Sequence, residues 1–116
     1  MAKGDDIRDR AFRFACSVVE LHDTLWPRGG SARVMSAQLL RSGSSIGANL
    51  EEADAAQSKP DFIHKCSIAL KEARESHYWL RVLHETKKLT DSDHLVSDCN
   101  QIAAILTTII RKAQTQ

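Results

Sequence analysis

Apolar residues recur along most of the chain in alternating steps of three and four, the spacing that places side chains on one face of an α-helix. The pattern predicts four helices, over residues 5–26, 31–57, 60–88 and 91–113. Pro27 and the glycines after it end the first helix, and Pro60 suits the first turn of the third, where a missing N–H is harmless. No segment alternates polar and apolar residues as a β-strand does.

The first helix carries two apolar rows. Its inward row is Ile7, Ala11, Phe14, Val18, Leu21 and Leu25. A flanking row of Phe12, Val19 and Trp26 widens this face, so we expect these three residues to be buried as well. Asp5 or Asp6 is the expected cap at the start of this helix.

Four helices of similar length joined by short connections favour an all-α fold. We expect a left-handed, up-down-up-down antiparallel four-helix bundle that forms a single domain over residues 1–116. A chain of 116 residues with 42% hydrophobic content suits one core of this kind.

Charge and cysteine content narrow the function classes. The formal net charge is +1, so nucleic-acid binding would need a local basic patch. The longest mostly apolar stretch, residues 102–110, is too short to span a membrane, and no signal peptide is recognisable. The cysteines Cys16, Cys66 and Cys99 lack CxxC spacing. We expect reduced, buried thiols that act as small apolar fillers in a cytoplasmic protein.

Metal and catalytic chemistry find little support in the sequence. Carboxylate-bridged di-iron bundles need Glu-x-x-His, which this chain lacks. Asp61-x-x-His64 and Asp91-x-x-His94 have the same spacing, but both stand at predicted helix starts, where Asp commonly acts as a cap. Thr90 together with Asp93 also indicates the start of the fourth helix. His77 and His84 share a face and are expected to form a partly buried, hydrogen-bonded pair. No nucleophile motif or phosphate loop occurs, so we predict no catalytic residue, cofactor or metal.

The second helix is rich in small residues. Gly43 and Gly47 leave two positions without side chains on nearly one face, which favours close helix packing over a ligand site. Arg41, Asn49 and Glu52 lie beside its apolar stripe. We interpret them as a polar contact that fixes helix register or a subunit contact, with a small polar pocket as the alternative.

The outer face of the third helix carries apolar and basic residues where a lone bundle would be polar. Ile68, Tyr78 and Val82 are rimmed by charges, as in a protein-contact surface. The same helix carries the basic residues Lys71, Arg74, Arg81 and Lys88. In an alternative reading they contact the phosphates of a nucleic acid while Tyr78 stacks on a base. Otherwise they form an ordinary solvated helix face.

The second helix also carries a family signature. Its core has the form Ser-Ile-x-x-Asn-(Ile/Leu)-x-Glu, here Ser45, Ile46, Asn49, Leu50 and Glu52. Together with Ser58, residues 61–63 and residues 68–75, it resembles the bacterial four-helix bundle proteins of the 23S rRNA intervening-sequence type, known as the S23 family. The likeness extends over essentially the whole chain.

This resemblance implies a self-assembling protein without an established enzymatic activity. Similar proteins form homopentameric rings, and the related accessory variability proteins of diversity-generating retroelements are strongly basic and thought to bind nucleic acid. With a net charge of +1, this chain departs from the basic subtype. Our first hypothesis is a non-enzymatic pentameric scaffold with an interface at Ile68, Tyr78 and Val82. The second is an RNA- or DNA-binding accessory protein.

Overall fold

Four long helices make up the protein. The computed structural model describes residues 3–89 and 93–116, with side chains described for 7–89 and 94–116. Helix α1 spans Lys3–Leu25, and a single turn of 3₁₀ helix follows at Trp26–Arg28. Helix α2 spans Gly30–Asp54, α3 spans Lys59–Glu85 and α4 spans Asp93–Gln114. The described residues contain no strand, and the predicted all-α fold is confirmed.

The helices pack as a four-helix bundle, 47 × 22 × 21 Å in extent, in which each helix packs on the next along the chain and α1 closes against α4. Its core takes Val18 from α1, Ile46 from α2, Leu80 from α3 and Leu106 from α4, all fully buried. None of the described helices is both long enough and apolar enough to cross a membrane.

Glycine and a serine cap determine where two helices begin. Gly29 and Gly30 both have positive φ angles, of 69° and 54°, so the connection into α2 uses the conformation that glycine adopts at least cost. Ser58 caps α3, because its hydroxyl accepts a hydrogen bond from the Asp61 backbone N–H at 3.2 Å. The cap is therefore Ser58, not Asp61 as predicted, while Pro60 lies in the first turn as expected.

Helix α3 ends three residues earlier than predicted, in a turn built on a lysine. The Lys87 N–H donates to the His84 carbonyl, and the Lys88 N–H donates to the Leu83 carbonyl at 2.9 Å. Lys87 adopts a φ of 60°, a position that glycine usually fills at a helix end. The other predicted start signals, the side chains of Asp5, Asp6, Thr90, Asp91 and Asp93, lie outside the described residues.

Helices α1 and α2 approach closely at the two glycines of α2. A Cβ atom built on Gly43 would lie 3.1 Å from Val18 Cγ2, and one on Gly47 would lie 3.6 Å from Ala11 Cβ. The small residues of α2 therefore serve close packing against α1, which confirms that interpretation of the sequence.

The flanking row of α1 is not buried. Phe12 is 66% exposed, Val19 44% and Trp26 43%, so the expectation that this row widens the core is wrong. Each residue turns an α-helix by about 100°, which places Phe12 roughly 120° around α1 from Val18. The core is filled by the inward row alone. Cys16 lies between Phe12 and Val19 in sequence and is also exposed, so only Cys66 and Cys99 are the buried fillers that we expected.

Candidate interaction surfaces

Two exposed apolar residues of α1 and a third in the 3₁₀ turn after it form a row at intervals of seven. We call Phe12, Val19 and Trp26 the α1 ridge. A repeat of seven keeps side chains on one line along a helix, and this line is separate from the row that faces the core. Helix α1 therefore carries two apolar faces, of which the bundle uses one.

The Trp26 end of the ridge is held in place by its neighbours. The Arg33 guanidinium lies 4.6 Å from the centre of the Trp26 ring, and Arg33 Nε donates to the Trp26 carbonyl oxygen at 3.0 Å. The His22 ring packs 5.3 Å from the same indole. Because these contacts fix the side chain, the exposed part of Trp26 is a preorganised surface.

A groove of about 610 Å³ runs between the outer edges of α3 and α4. We call it the α3–α4 groove; its lining includes His77, Tyr78, Arg81, Val82, Glu85, Val96 and Asn100. A second cleft, of about 290 Å³ and lined in part by Arg74 and Thr107, continues it past His77 and Asn100. The two together give a long surface channel in which Tyr78, Val82 and Val96 lie among polar and charged side chains.

The predicted contact residues of α3 fall into two places. Tyr78 is 54% exposed and lines the groove with the half-buried Val82. Ile68 is half-buried and lies ten residues before Tyr78, about 15 Å away along the helix. The Tyr78 ring packs edge-on against Trp79 at 5.2 Å between centres. Tyr78 and Val82 therefore belong to one surface, and Ile68 lies apart from it.

The four basic residues proposed for nucleic acid are also divided. Arg74 and Arg81 line the groove and its extension, whereas Lys71 and Lys88 line neither cleft. Lys71, Arg74 and Arg81 are exposed, and Lys88 is half-buried. The groove thus gathers two of the four cations, together with the acidic Glu85.

The two histidines that we expected to pair both line the groove, but they differ in exposure. His77 is half-buried and His84 is exposed, which contradicts a partly buried pair. His84 lies in the last turn of α3, where the surface opens towards solvent.

Arg41 joins α2 to two carboxylates of α3. Its guanidinium donates to Glu72 Oε2 at 3.2 Å and also to Glu75, which accepts a further hydrogen bond from the Trp79 indole N–H at 3.1 Å. The hydrogen bond from Arg41, and then that from Trp79, lower the pKa of Glu75, while the Glu75 hydrogen bond raises the pKa of Arg41. Glu72 is only 9% exposed, so Arg41 compensates a buried charge.

Sequence reasoning missed this carboxylate pair. Glu72 directly precedes the inward-facing Ala73 and lies three residues after the inward-facing Ala69. A carboxylate flanked by core positions on two successive turns signals a buried acid that needs a cation, and that signal was available in the sequence.

The other two motif residues have different partners. The Asn49 side-chain amide donates to the Ser45 carbonyl at 2.8 Å within α2, and Glu52 accepts from Lys65 of α3 at 2.9 Å. The Glu52 hydrogen bond raises the pKa of Lys65. Arg41, Asn49 and Glu52 therefore do not share one network in the described structure. Arg41 and Glu52 each link α2 to α3, and a role in setting helix register stays a prediction.

The buried interior of the same helix pair is also linked by hydrogen bonds. Ser76 Oγ of α3 donates to Ser42 Oγ of α2 at 2.8 Å, and Ser42 Oγ donates to the Leu39 carbonyl. In the part of the chain that is described, no three His, Cys, Asp or Glu side chains lie together as metal ligands would. Ser42 and Ser76 therefore connect α2 to α3 inside the bundle.

The family profile described as 23S rRNA-intervening sequence protein matches residues 4–108, which is most of the chain. The chain belongs to this family. A similar crystal structure from Bacteroides thetaiotaomicron is described as a protein with unknown function from the S23 ribosomal protein family. The two chains are 40% identical; the match covers 95% of this chain and 99% of that chain, with a TM-score of 0.86. No curated protein matches.

Membership of the 23S rRNA-intervening sequence protein family confirms the resemblance stated from the α2 motif. The solved S23 relative is of unknown function, and the family description indicates no catalytic chemistry.

Proposed function

We propose that this protein of the 23S rRNA-intervening sequence family is a non-enzymatic cytoplasmic scaffold that assembles with copies of itself. The assembly is a closed homo-oligomeric ring, and the number of five subunits rests on the resemblance to pentameric S23 proteins. The interface includes Tyr78 and Val82, and Ile68, about 15 Å away along α3, is a separate candidate contact.

The exposed apolar surface of a small bundle is the observation that supports this proposal. The ridge exposes two aromatic side chains and one valine, and the α3–α4 groove exposes Tyr78. Apolar groups that are grouped and rimmed by charges are characteristic of protein interfaces, whereas single exposed apolar residues are ordinary. Two such surfaces on one chain suit an assembly in which unlike faces meet.

The α2–α3 contacts support a scaffold role as well. Arg41 with Glu72 and Glu75, and Lys65 with Glu52, tie the two helices together at separate levels. These contacts keep the outer face of α3 in a fixed position relative to the rest of the bundle. A rigid face loses little conformational freedom when it binds, which favours association.

Light scattering coupled to size exclusion tests the proposal. We expect the wild-type protein to elute with a mass several times the 12.9 kDa of one chain at micromolar concentration. Tyr78→Lys should reduce that mass, because it places a charge in the apolar groove. Val34→Lys is the matched control, since Val34 is 63% exposed and belongs to neither surface. A wild-type protein that stays monomeric contradicts the proposal.

A second candidate function is nucleic-acid binding through the same groove. The observation in its favour is the placement of Arg74 and Arg81 beside the exposed Tyr78, a combination that suits phosphates and a stacked base. A ring would multiply this modest patch by the number of subunits. Binding of single-stranded RNA that falls steeply with added salt, and that weakens in Arg74→Gln and Arg81→Gln, would support it. No binding at low salt would rule it out.

A further inference from the structure

We infer that a pocket at one end of the bundle core binds a small uncharged apolar molecule, about the size of one aromatic ring. The pocket has a volume of about 150 Å³ and lies between the ends of the helices. It belongs to the interior of the single chain, so the inference goes beyond the proposed self-assembly and does not depend on it.

All four helices contribute apolar side chains to the walls of this pocket. They are Ile7 from α1, Leu50 and Ala53 from α2, Phe62 and Cys66 from α3, and Ile109 from α4. A space between the helices of a bundle is a usual place for a small ligand. Its volume admits one small molecule and is too small for a helix of a partner protein.

Two small side chains leave room at this end of the core. Helix α2 contributes Ala53 here and α3 contributes Cys66, and both residues are buried. Elsewhere in the core the same helices contribute larger side chains, such as Ile46 and Leu80, which are fully buried. The pocket therefore follows from the residue types at positions 53 and 66, and a larger side chain at either position would fill it.

The charged residues of the lining lie at the mouth of the pocket. The side chains of Arg8 and Asp54 are 27% and 62% exposed, and the Arg8 guanidinium pairs with the Asp54 carboxylate at 2.6 Å. Inside the pocket, burial raises the pKa of the Cys66 thiol, so this side chain is uncharged at neutral pH. The walls therefore offer a ligand apolar contacts, and the two charges at the mouth neutralise each other.

This lining determines the class of ligand. A water molecule inside a protein needs two to four polar partners, which the apolar walls do not supply. A charged or strongly polar ligand would lose its hydration there without gaining hydrogen bonds in return. Apolar cavities of about 150 Å³ lined by Leu, Ile and Phe bind benzene in other proteins. Benzene is therefore the appropriate probe for this pocket.

Thermal unfolding and methyl NMR of the wild-type protein test the inference. Benzene should raise the Tm, by about 3 °C when its concentration is about three times its Kd. In the NMR spectra, the ring current of bound benzene should shift the methyl signals of Ile7, Leu50 and Ile109, which line the pocket. The methyl signals of Ile46, which is fully buried but outside the lining, should not move.

Ala53→Leu fills the pocket and supplies a second test. It should abolish the Tm response to benzene and cost little stability, because the added carbons enter existing space. Ala32→Leu is the matched control, since Ala32 is as buried as Ala53 on the same helix but does not line the pocket. It should destabilise the fold by overpacking. Gly47→Ala, also outside the lining, should keep the response to benzene.

Several outcomes overturn the inference. Methyl signals that stay in place up to the solubility limit of benzene show that the pocket binds no such molecule. Shifts confined to Val82 and Val96 place benzene in the α3–α4 groove instead. If Ala53→Leu destabilises the fold as much as Ala32→Leu, or keeps the response to benzene, the space at position 53 is not the binding site. A monomeric wild type contradicts the proposed self-assembly and leaves this inference standing.

Discussion

The two glycines of α2 allow a sharp test of how closely α1 and α2 pack. Gly43→Ala and Gly47→Ala are the same substitution, four residues apart on the same helix and on the same side. Each removes the backbone entropy cost of glycine and should gain about 1 kcal/mol from helix propensity. Any difference between them therefore reports what the new methyl group contacts.

The structure predicts opposite results at the two sites. At Gly47 the added Cβ would meet Ala11 atoms at 3.6 to 3.7 Å, which is ordinary van der Waals contact. We expect Gly47→Ala to stabilise the fold by about 1 kcal/mol and to raise the Tm by about 4 °C. At Gly43 it would lie 3.1 and 3.2 Å from the two methyl groups of Val18, which is fully buried. Overpacking of this kind costs about 1 to 3 kcal/mol, so Gly43→Ala should be destabilising by about 0 to 2 kcal/mol.

Urea unfolding followed by far-ultraviolet circular dichroism measures both effects. All variants must be compared at one protein concentration, because assembly adds to apparent stability. The double variant Val18→Ala with Gly43→Ala supplies the control: once the valine methyl groups are gone, the alanine at 43 should become stabilising. If Gly43→Ala alone stabilises as much as Gly47→Ala, the reasoning about a tight contact with Val18 is wrong.

Three further predictions concern the ends and the polar contacts of α3. Arg41→Met should lower the free energy of unfolding, measured in urea, by about 2 kcal/mol because it leaves the Glu72 carboxylate buried without its cation. Adding Glu72→Gln should restore most of this loss. The fold lowers the pKa of Glu75 below its ordinary value of 4.5. The ionised carboxylate therefore stabilises the protein above pH 4.5, and this stabilisation is lost as the pH falls through the pKa of the folded state. Glu75→Gln should make the decrease of Tm below pH 4.5 less steep than in the wild type. Lys87→Gly should raise the Tm and increase the free energy of unfolding by about 1 kcal/mol, because glycine adopts a φ of 60° without steric strain.

The hydrophobic pattern predicted the helices well because the packing of each helix against its neighbours determines which of its positions are apolar. A row such as Ile7, Ala11, Phe14 and Val18 is apolar since it faces other helices, and the spacing of the row then reports the geometry of the element. The ends of helices were less predictable. The cap at Ser58 depends on a hydroxyl and one N–H, and the end of α3 depends on the φ of Lys87. Neither produces a periodic signal.

The polar contacts were predictable only in part. The spacing along α2 placed Arg41 and Glu52 beside the apolar stripe, but it gave no sign that their partners lie on α3. A pattern within one helix gives no information on the rotation of the helix beside it. Glu72 could have been anticipated from its neighbours, whereas its pairing with Arg41 required the packed structure.

The misassigned ridge illustrates a limit of the pattern itself. The row of Phe12, Val19 and Trp26 is apolar and repeats every seven residues, as alternate members of a core row do, and the sequence does not say which neighbour it packs against. In the proposed self-assembly such a row would pack between two chains and not inside one. The exposure of this row supports the proposed self-assembly, because apolar residues that recur along one solvated line are typical of protein contact surfaces.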